Sequence, residues 1–265
     1  MSNSFTLRAG ERGYHKILPA GSFVLRAGER GYNKIPSTGA EAAYVAGHPD
    51  AFIERHSSFN FHEYQEGRPG FGRMRVFSDE VFHRAGCGYN MHPHHNFIIC
   101  AVVLAGTLTH INTIGKVDQL GPGDCYVFSA GSGGKHCELN IEPDDMHAIY
   151  IWLMPDRLYL PPSYVRRHFD LDAGKNQIIT LFGDGALPLS QDARVSRLVA
   201  DAPAAHVYRT RSSGHGVYIF VLEGTLDCDG TELERRDSKA LSGADQISCR
   251  TGSDRTDVLF VETIM

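Results

Sequence analysis

Short apolar runs separated by glycine turns organise this chain. Residues 97–104 (FIICAVVL), 148–153 (AIYIWL), 217–222 (VYIFVL) and 258–261 (VLFV) are rich in β-branched and aromatic side chains. Turn signals recur roughly every eight to twelve residues, the spacing of a β-sandwich or barrel. Helical periodicity is scarce. Only residues 163–169 (SYVRRHF), opened by Pro161 and Pro162, predict a short helix. The polar, Gly-rich stretch 171–191 reads as a connection between two β-domains.

Two repeats run through this pattern. The segment from Leu7 to Ile17 returns at Leu25 to Ile35 with Asn33 in place of His15; two copies are too few for a solenoid, so this reads as a local duplication. The second repeat is larger. Val103-Leu104-Ala105-Gly106-Thr107-Leu108 returns as Val221-Leu222-Glu223-Gly224-Thr225-Leu226, an offset of 118, and Leu120, Asp124 and Gly131 fall against Leu241, Asp245 and Gly252 at 121. One β-domain used twice is the expectation.

Composition narrows the class. The chain has 265 residues, 42% hydrophobic and 22% charged, enough to bury a core and unlike a disordered or fibrous protein. A net charge of −5 gives no global attraction to nucleic acid or anionic membrane. No apolar run is long enough to span a bilayer, and no signal segment opens the sequence. Six cysteines without a CxxC read as reduced, mostly buried thiols, so the cytoplasm is the expected compartment.

The candidate chemistry lies in two spaced pairs. His92-Pro93-His94 places two imidazoles two residues apart, hence on one side of a strand. His136-Cys137-Glu138 repeats that spacing with a carboxylate. An antiparallel return would set the second pair opposite the first. Three nitrogens and one carboxylate suit Fe(II), and also hold Mn, Ni, Cu or Zn. His95 reads as a supporting or surface residue, His83, His110 and His147 as core or surface residues, and Cys137 as a buried apolar residue pointing away from the site.

These residues resemble the cupin superfamily and, more narrowly, the pirin family of two-cupin proteins. The resemblance rests on Phe59-Asn60-Phe61, Gly70-Phe71-Gly72, His92-Pro93-His94, Val103 to Gly106, Pro122-Gly123-Asp124, Ser129-Ala130-Gly131, His136 to Asn140 and Pro162-Ser163-Tyr164. The segment Arg26 to Gly31 also looks like the family's N-terminal strand. The resemblance implies an all-β bicupin: two packed jelly-roll barrels with a few short helices. The expected division is an N-terminal extension (1–58), a metal-binding cupin (59–170), a linker (171–190) and a metal-free cupin (191–265). It also implies that His92, His94, His136 and Glu138 hold one divalent transition metal, usually iron.

Two functions follow from that resemblance. One is a dioxygenase of the quercetin 2,3-dioxygenase type, taking a small aromatic substrate and O2, with Glu138 as the catalytic base. The other is a non-catalytic metal or redox sensor that regulates a partner protein. Neither involves direct contact with nucleic acid or a membrane. One position departs from the family pattern: Ile98 stands where a Glu is usual. In a strand running from His92 to Leu104, Ile98 shares a face with His92 and His94 and is expected to line the barrel interior, dry the pocket and weaken flavonol chemistry. At the expected offsets the second copy offers Thr210, Ser212, Asp257 and Leu259, which retain no histidine pair.

Overall fold

The computed structural model describes residues 4–6, 22–36, 50–61, 64, 66–252 and 254–265. The first copy of the short duplication, 7–17, lies outside the described residues. In chain order the early strands are β1 (Ser4–Thr6), β2 (Ser22–Leu25), β3 (Gly31–Pro36), β4 (Phe52–Ser57) and β5 (Met74–His83). There follow β6 (Cys87–His94), β7 (Ile98–Ala105), β8 (Leu108–Asn112), β9 (Val117–Leu120), β10 (Asp124–Ser129), β11 (Gly134–Asn140), β12 (Met146–Leu153) and β13 (Ser163–His168). The remainder are β14 (Ile178–Phe182), β15 (Ala193–Ala200), β16 (Ala205–Arg209), β17 (His215–Glu223) and β18 (Leu226–Cys228), then β19 (Thr231–Leu233), β20 (Ser238–Ser242), β21 (Gln246–Thr251) and β22 (Thr256–Ile264).

These strands build two barrels. In the first, a seven-stranded sheet in the order β13-β10-β7-β12-β5-β4-β3 faces a four-stranded sheet, β6-β11-β8-β9. The second repeats the plan, with β1-β2-β20-β17-β22-β15-β14 facing β16-β21-β18-β19. β14, within the stretch read as a linker, pairs with β15, and β2 pairs with β20 of the second barrel.

The two seven-stranded sheets pack back to back, which explains the sequence pattern. β7 and β17 are apolar at nearly every position because both faces of each are covered. On β7, Ile98, Cys100 and Val102 enter the core between the barrels, with Phe77, Phe220 and Val261. Ile99, Ala101 and Val103 enter the core of the first barrel. β21 lies in an outer sheet and alternates buried with exposed residues. A buried ionic knot crosses the seam. Asp79 of β5 accepts from His147 at 2.6 Å and lies 3.2 Å from Arg236 and 3.6 Å from Arg30, whose guanidinium rests over Phe220.

The larger repeat has a structural basis at its glycines. Gly106 and Gly224 both adopt positive φ, +68° and +76°. A Cβ at either would clash with a backbone carbonyl oxygen just before the neighbouring strand, that of Asp145 or of Arg255. Only glycine fits such a turn.

Two expectations are corrected. The short helices are absent among the described residues, whose single helical element is a 3-10 turn at Ala27–Glu29. Residues 163–168 form β13, paired along its whole length with β10. Tyr164 packs into the first barrel and Val165 into the core between barrels, a period of two that overrides the helical reading. Among the described residues no helix is long and apolar enough to cross a membrane.

Candidate metal centre

β6 and β11 are antiparallel neighbours, and their register decides the site. His136 lies directly opposite His92 and Gly134 opposite His94, and the register shifts between His136 and Glu138. The ligand-capable atoms of His92, His94 and His136 all fall within 4.8 Å of one another. Their ring centroids stand 4.5 to 4.8 Å apart. Glu138 stands beside the group: its Oε2 lies 3.8 Å from His92 Nε2 and its Oε1 3.5 Å from His136 Nδ1. Tyr126 OH donates to that Oε1 at 2.7 Å. The three histidines are thus gathered into one group, with Glu138 Oε2 bordering it at His92. The His92 side chain keeps 29% exposure while His136 and Glu138 keep 1% and 4%, so the site opens on the His92 side.

The ring nitrogens are arranged for coordination. His92 Nδ1–H donates to the Asn90 carbonyl at 2.7 Å, which leaves Nε2 with its lone pair. His94 Nε2 and His136 Nε2 are buried without a hydrogen-bond partner. Burial holds all three imidazoles below the usual histidine range, His94 at about 3, so they are neutral at pH 7. Burial pushes the Glu138 carboxyl up to about 8, with Glu80 adding to the rise and the Tyr126 hydrogen bond opposing it. A divalent cation among these atoms would engage the orphaned nitrogens and favour the carboxylate. The donor set therefore fits a transition metal.

Several contributors lacked a sequence signal. His110 is fully buried on β8, with its Nε2 3.0 Å from His136 Nδ1. It has no partner at ligand spacing, and only the β8–β11 register, which sets it opposite Glu138, reveals its place. Trp152 stands edge-on to His94 at 4.7 Å, with Phe61 and Phe97 at 5.0 and 5.6 Å from its ring. Behind them Glu80 accepts from Arg55 Nε at 3.1 Å and Tyr89 OH at 2.7 Å. His95 is exposed and packs on Tyr159, while His83 and His147 pair with Asp145 and Asp79. Cys137 is buried opposite Ile111.

Ile98 does not line this site. β6 and β7 belong to different sheets, and residues 95–97 turn the chain between them, Asn96 at φ +55°. The parity of β6 therefore does not carry into β7, and Ile98 points into the core between barrels.

The offset of 121 is also corrected. Asp257 and Leu259 lie on β22, not on the counterpart of β11. The offset of 118 holds for β8 and β18 and matches His110 to Cys228. Across the ladder, Glu138 opposes His110 as Cys249 opposes Cys228. Two residues earlier, Ile247 matches His136, and its β16 partner Tyr208 matches His92. Thr210 then matches His94. The second barrel holds none of the four donors at these places.

Comparison with known proteins agrees with both halves. The family model described as Pirin matches residues 41–153, and that described as Quercetinase C-terminal cupin domain matches 180–263. A quercetin 2,3-dioxygenase of Escherichia coli K12 is 30% identical over 220 residues, covering 81% of this chain and 94% of the relative. The crystal structure of YhhW from Escherichia coli superposes with a TM-score of 0.77 at 26% identity, over 91% of this chain and 97% of that one. A second structure, of the bacterial pirin YhhW in complex with nickel(II), gives 0.76 at 26% identity, over 91% and 98%.

Proposed function

This chain belongs to the pirin family of two-cupin proteins, and from that premise we propose that it binds one divalent transition metal through His92, His94, His136 and Glu138 and acts as a quercetin 2,3-dioxygenase-like oxygenase on a flavonol or related enol or phenol. Fe(II) is the metal we assign first, with nickel the next to test. The observation that carries the reading is the convergence of three neutral imidazoles within 4.8 Å beside a buried carboxylate.

When bound, the metal would supply Lewis acidity and redox chemistry toward a phenolic or enolic substrate and O2. The chain's own residues do the rest. Trp152, Phe61 and Phe97 offer half-buried aromatic surface beside His94, against which a flat phenolic ring can stack. Tyr126 donates to Glu138 Oε1, so Oε2, which lies 3.8 Å from His92 Nε2, is the oxygen that would hold the metal, and its remaining lone pair is the one that would take the proton of a substrate hydroxyl. Withdrawing that proton leaves the electron-rich enolate that O2 attacks. Because Ile98 lies outside the pocket, its apolar character gives no reason to expect weak turnover.

The test is oxygen uptake with quercetin by protein loaded separately with Fe(II) and nickel(II). Uptake that His136→Ala abolishes is expected. Protein that binds metal yet consumes no oxygen with any flavonol would contradict the enzymatic reading.

A further inference from the structure

The second barrel carries two thiols where the first carries a carboxylate and its opposing histidine. Cys228 on β18 and Cys249 on β21 are register partners, as His110 and Glu138 are. Both belong to the same apolar cluster and are 0% and 4% exposed. Backbone bonds fix the kind of pairing. Asp229 N donates to Ser248 O at 2.9 Å and Gly252 N to Thr225 O at 3.0 Å. Hydrogen-bonded pairs alternate with non-bonded ones along an antiparallel ladder, so Cys228 and Cys249 occupy a non-bonded pair. There Cα atoms approach to about 4.5 Å, inside the range a disulfide spans.

The surroundings add to this. Lys239 of β20 lies opposite Ile219, as Tyr126 of β10 lies opposite Ala101, so Lys239 occupies the place of Tyr126. Its Nζ donates to the Cys228 carbonyl at 2.7 Å, bringing a cation to the thiols. On the other side of β21, His206 is the register partner of Cys249, and its buried Nε2 has no hydrogen-bond partner. His206 is only half-buried, so Cys249 lies next to a residue that solvent reaches.

We propose that Cys228 and Cys249 are a dithiol modification site, closed to a cross-strand disulfide by a peroxide-class oxidant. Cys249 Sγ attacks the peroxide, breaking its O–O bond, forming a sulfenic acid and releasing water. Cys228 Sγ then displaces hydroxide from that sulfur, the S–S bond forms, and the two thiol protons leave in the two waters. The two sulfurs lose two electrons and one hydrogen peroxide gains them. The hydrogen bond to Cys228 and burial both hold the Cys249 thiol protonated, so closure is slow.

The test treats the folded full-length protein, with and without metal, with hydrogen peroxide over hours. Free thiols are then alkylated under denaturing conditions and the linkages mapped by mass spectrometry. A loss of two hydrogens, a peptide joining Cys228 to Cys249, and reversal by dithiothreitol are expected, with Cys87, Cys100, Cys125 and Cys137 still alkylated. His206→Phe should slow closure several-fold and Cys249→Ser should remove the cross-link. Both thiols alkylated after exposure, or oxidation to sulfinic acid without a link, would overturn the proposal. The linkage is read in the chain without substitutions, so poor folding of a variant leaves the test intact.

Discussion

His110 Nε2 lies 3.0 Å from His136 Nδ1, and the His110 ring stacks on Tyr164 at 4.9 Å with an interplanar angle of 7°. For His136 to present the Nε2 lone pair, its proton must sit on Nδ1, and His110 Nε2 is the acceptor that holds it there. The aromatic packing fixes the His110 ring in that role. His110→Phe should keep the fold and the one-metal stoichiometry while weakening metal affinity by roughly 10- to 100-fold, the usual cost of losing a ligand's hydrogen-bond partner. Competition with a metal-binding dye measures this; unchanged affinity would show that His110 does not support the ligand.

Ile98→Glu tests the separation of the two faces of β7. The new carboxylate would enter the core between barrels, beside Phe77 and Phe220, without a partner. A loss of roughly 3–5 kcal/mol is expected in denaturant unfolding, from an uncompensated buried charge. Protein that still folds should bind metal as the parent does. A gain of oxygenase activity would restore Ile98 to the pocket.

Asp79 should make stability depend on acid. Burial alone would raise its carboxyl, but the hydrogen bond from His147 and the charges of Arg236 and Arg30 outweigh it and hold the group well below the usual carboxylate range. A carboxyl depressed in the folded state stabilises above its unfolded value of about 3.9, and that contribution is lost as pH falls through the folded value. Asp79→Asn should therefore lower stability at pH 7, and the gap to the parent should narrow as pH drops from about 5 toward 2. A gap that stays constant over that range would show that the charge is not responsible.

Gly106→Ala and Gly224→Ala should each destabilise by more than about 1 kcal/mol, since both place a Cβ against a carbonyl oxygen in a left-handed turn. Similar losses at the two sites are expected from one turn used twice. Tolerance at only one would show that the barrels have diverged there.

Much of this was legible in the residues. The runs at 97–104 and 217–222 announced strands, and the His92-Pro93-His94 and His136-Cys137-Glu138 spacings announced the candidate donors. What stayed hidden depends on pairing rather than on spacing. The turn at 95–97 moves the chain from one sheet to another, which the parity of His92 and His94 cannot reveal. The true counterparts in the second barrel emerge only when Cys249 is seen opposite Cys228, because loops of unequal length shift the offset strand by strand. His110 acts through a contact across β8 and β11, and Ser163 to His168 became a strand through its partner β10.

Everything proposed for the chemistry depends on one metal site in the first barrel. Protein stripped by chelation and dialysed is titrated with Fe(II) under anaerobic conditions, or with nickel(II), and bound metal is counted by elemental analysis. One ion per chain is expected for the parent, and none retained by His94→Ala or His136→Ala in chains that remain folded by circular dichroism. Full retention in either variant, or two ions per chain in the parent, would contradict a single site built from these histidines.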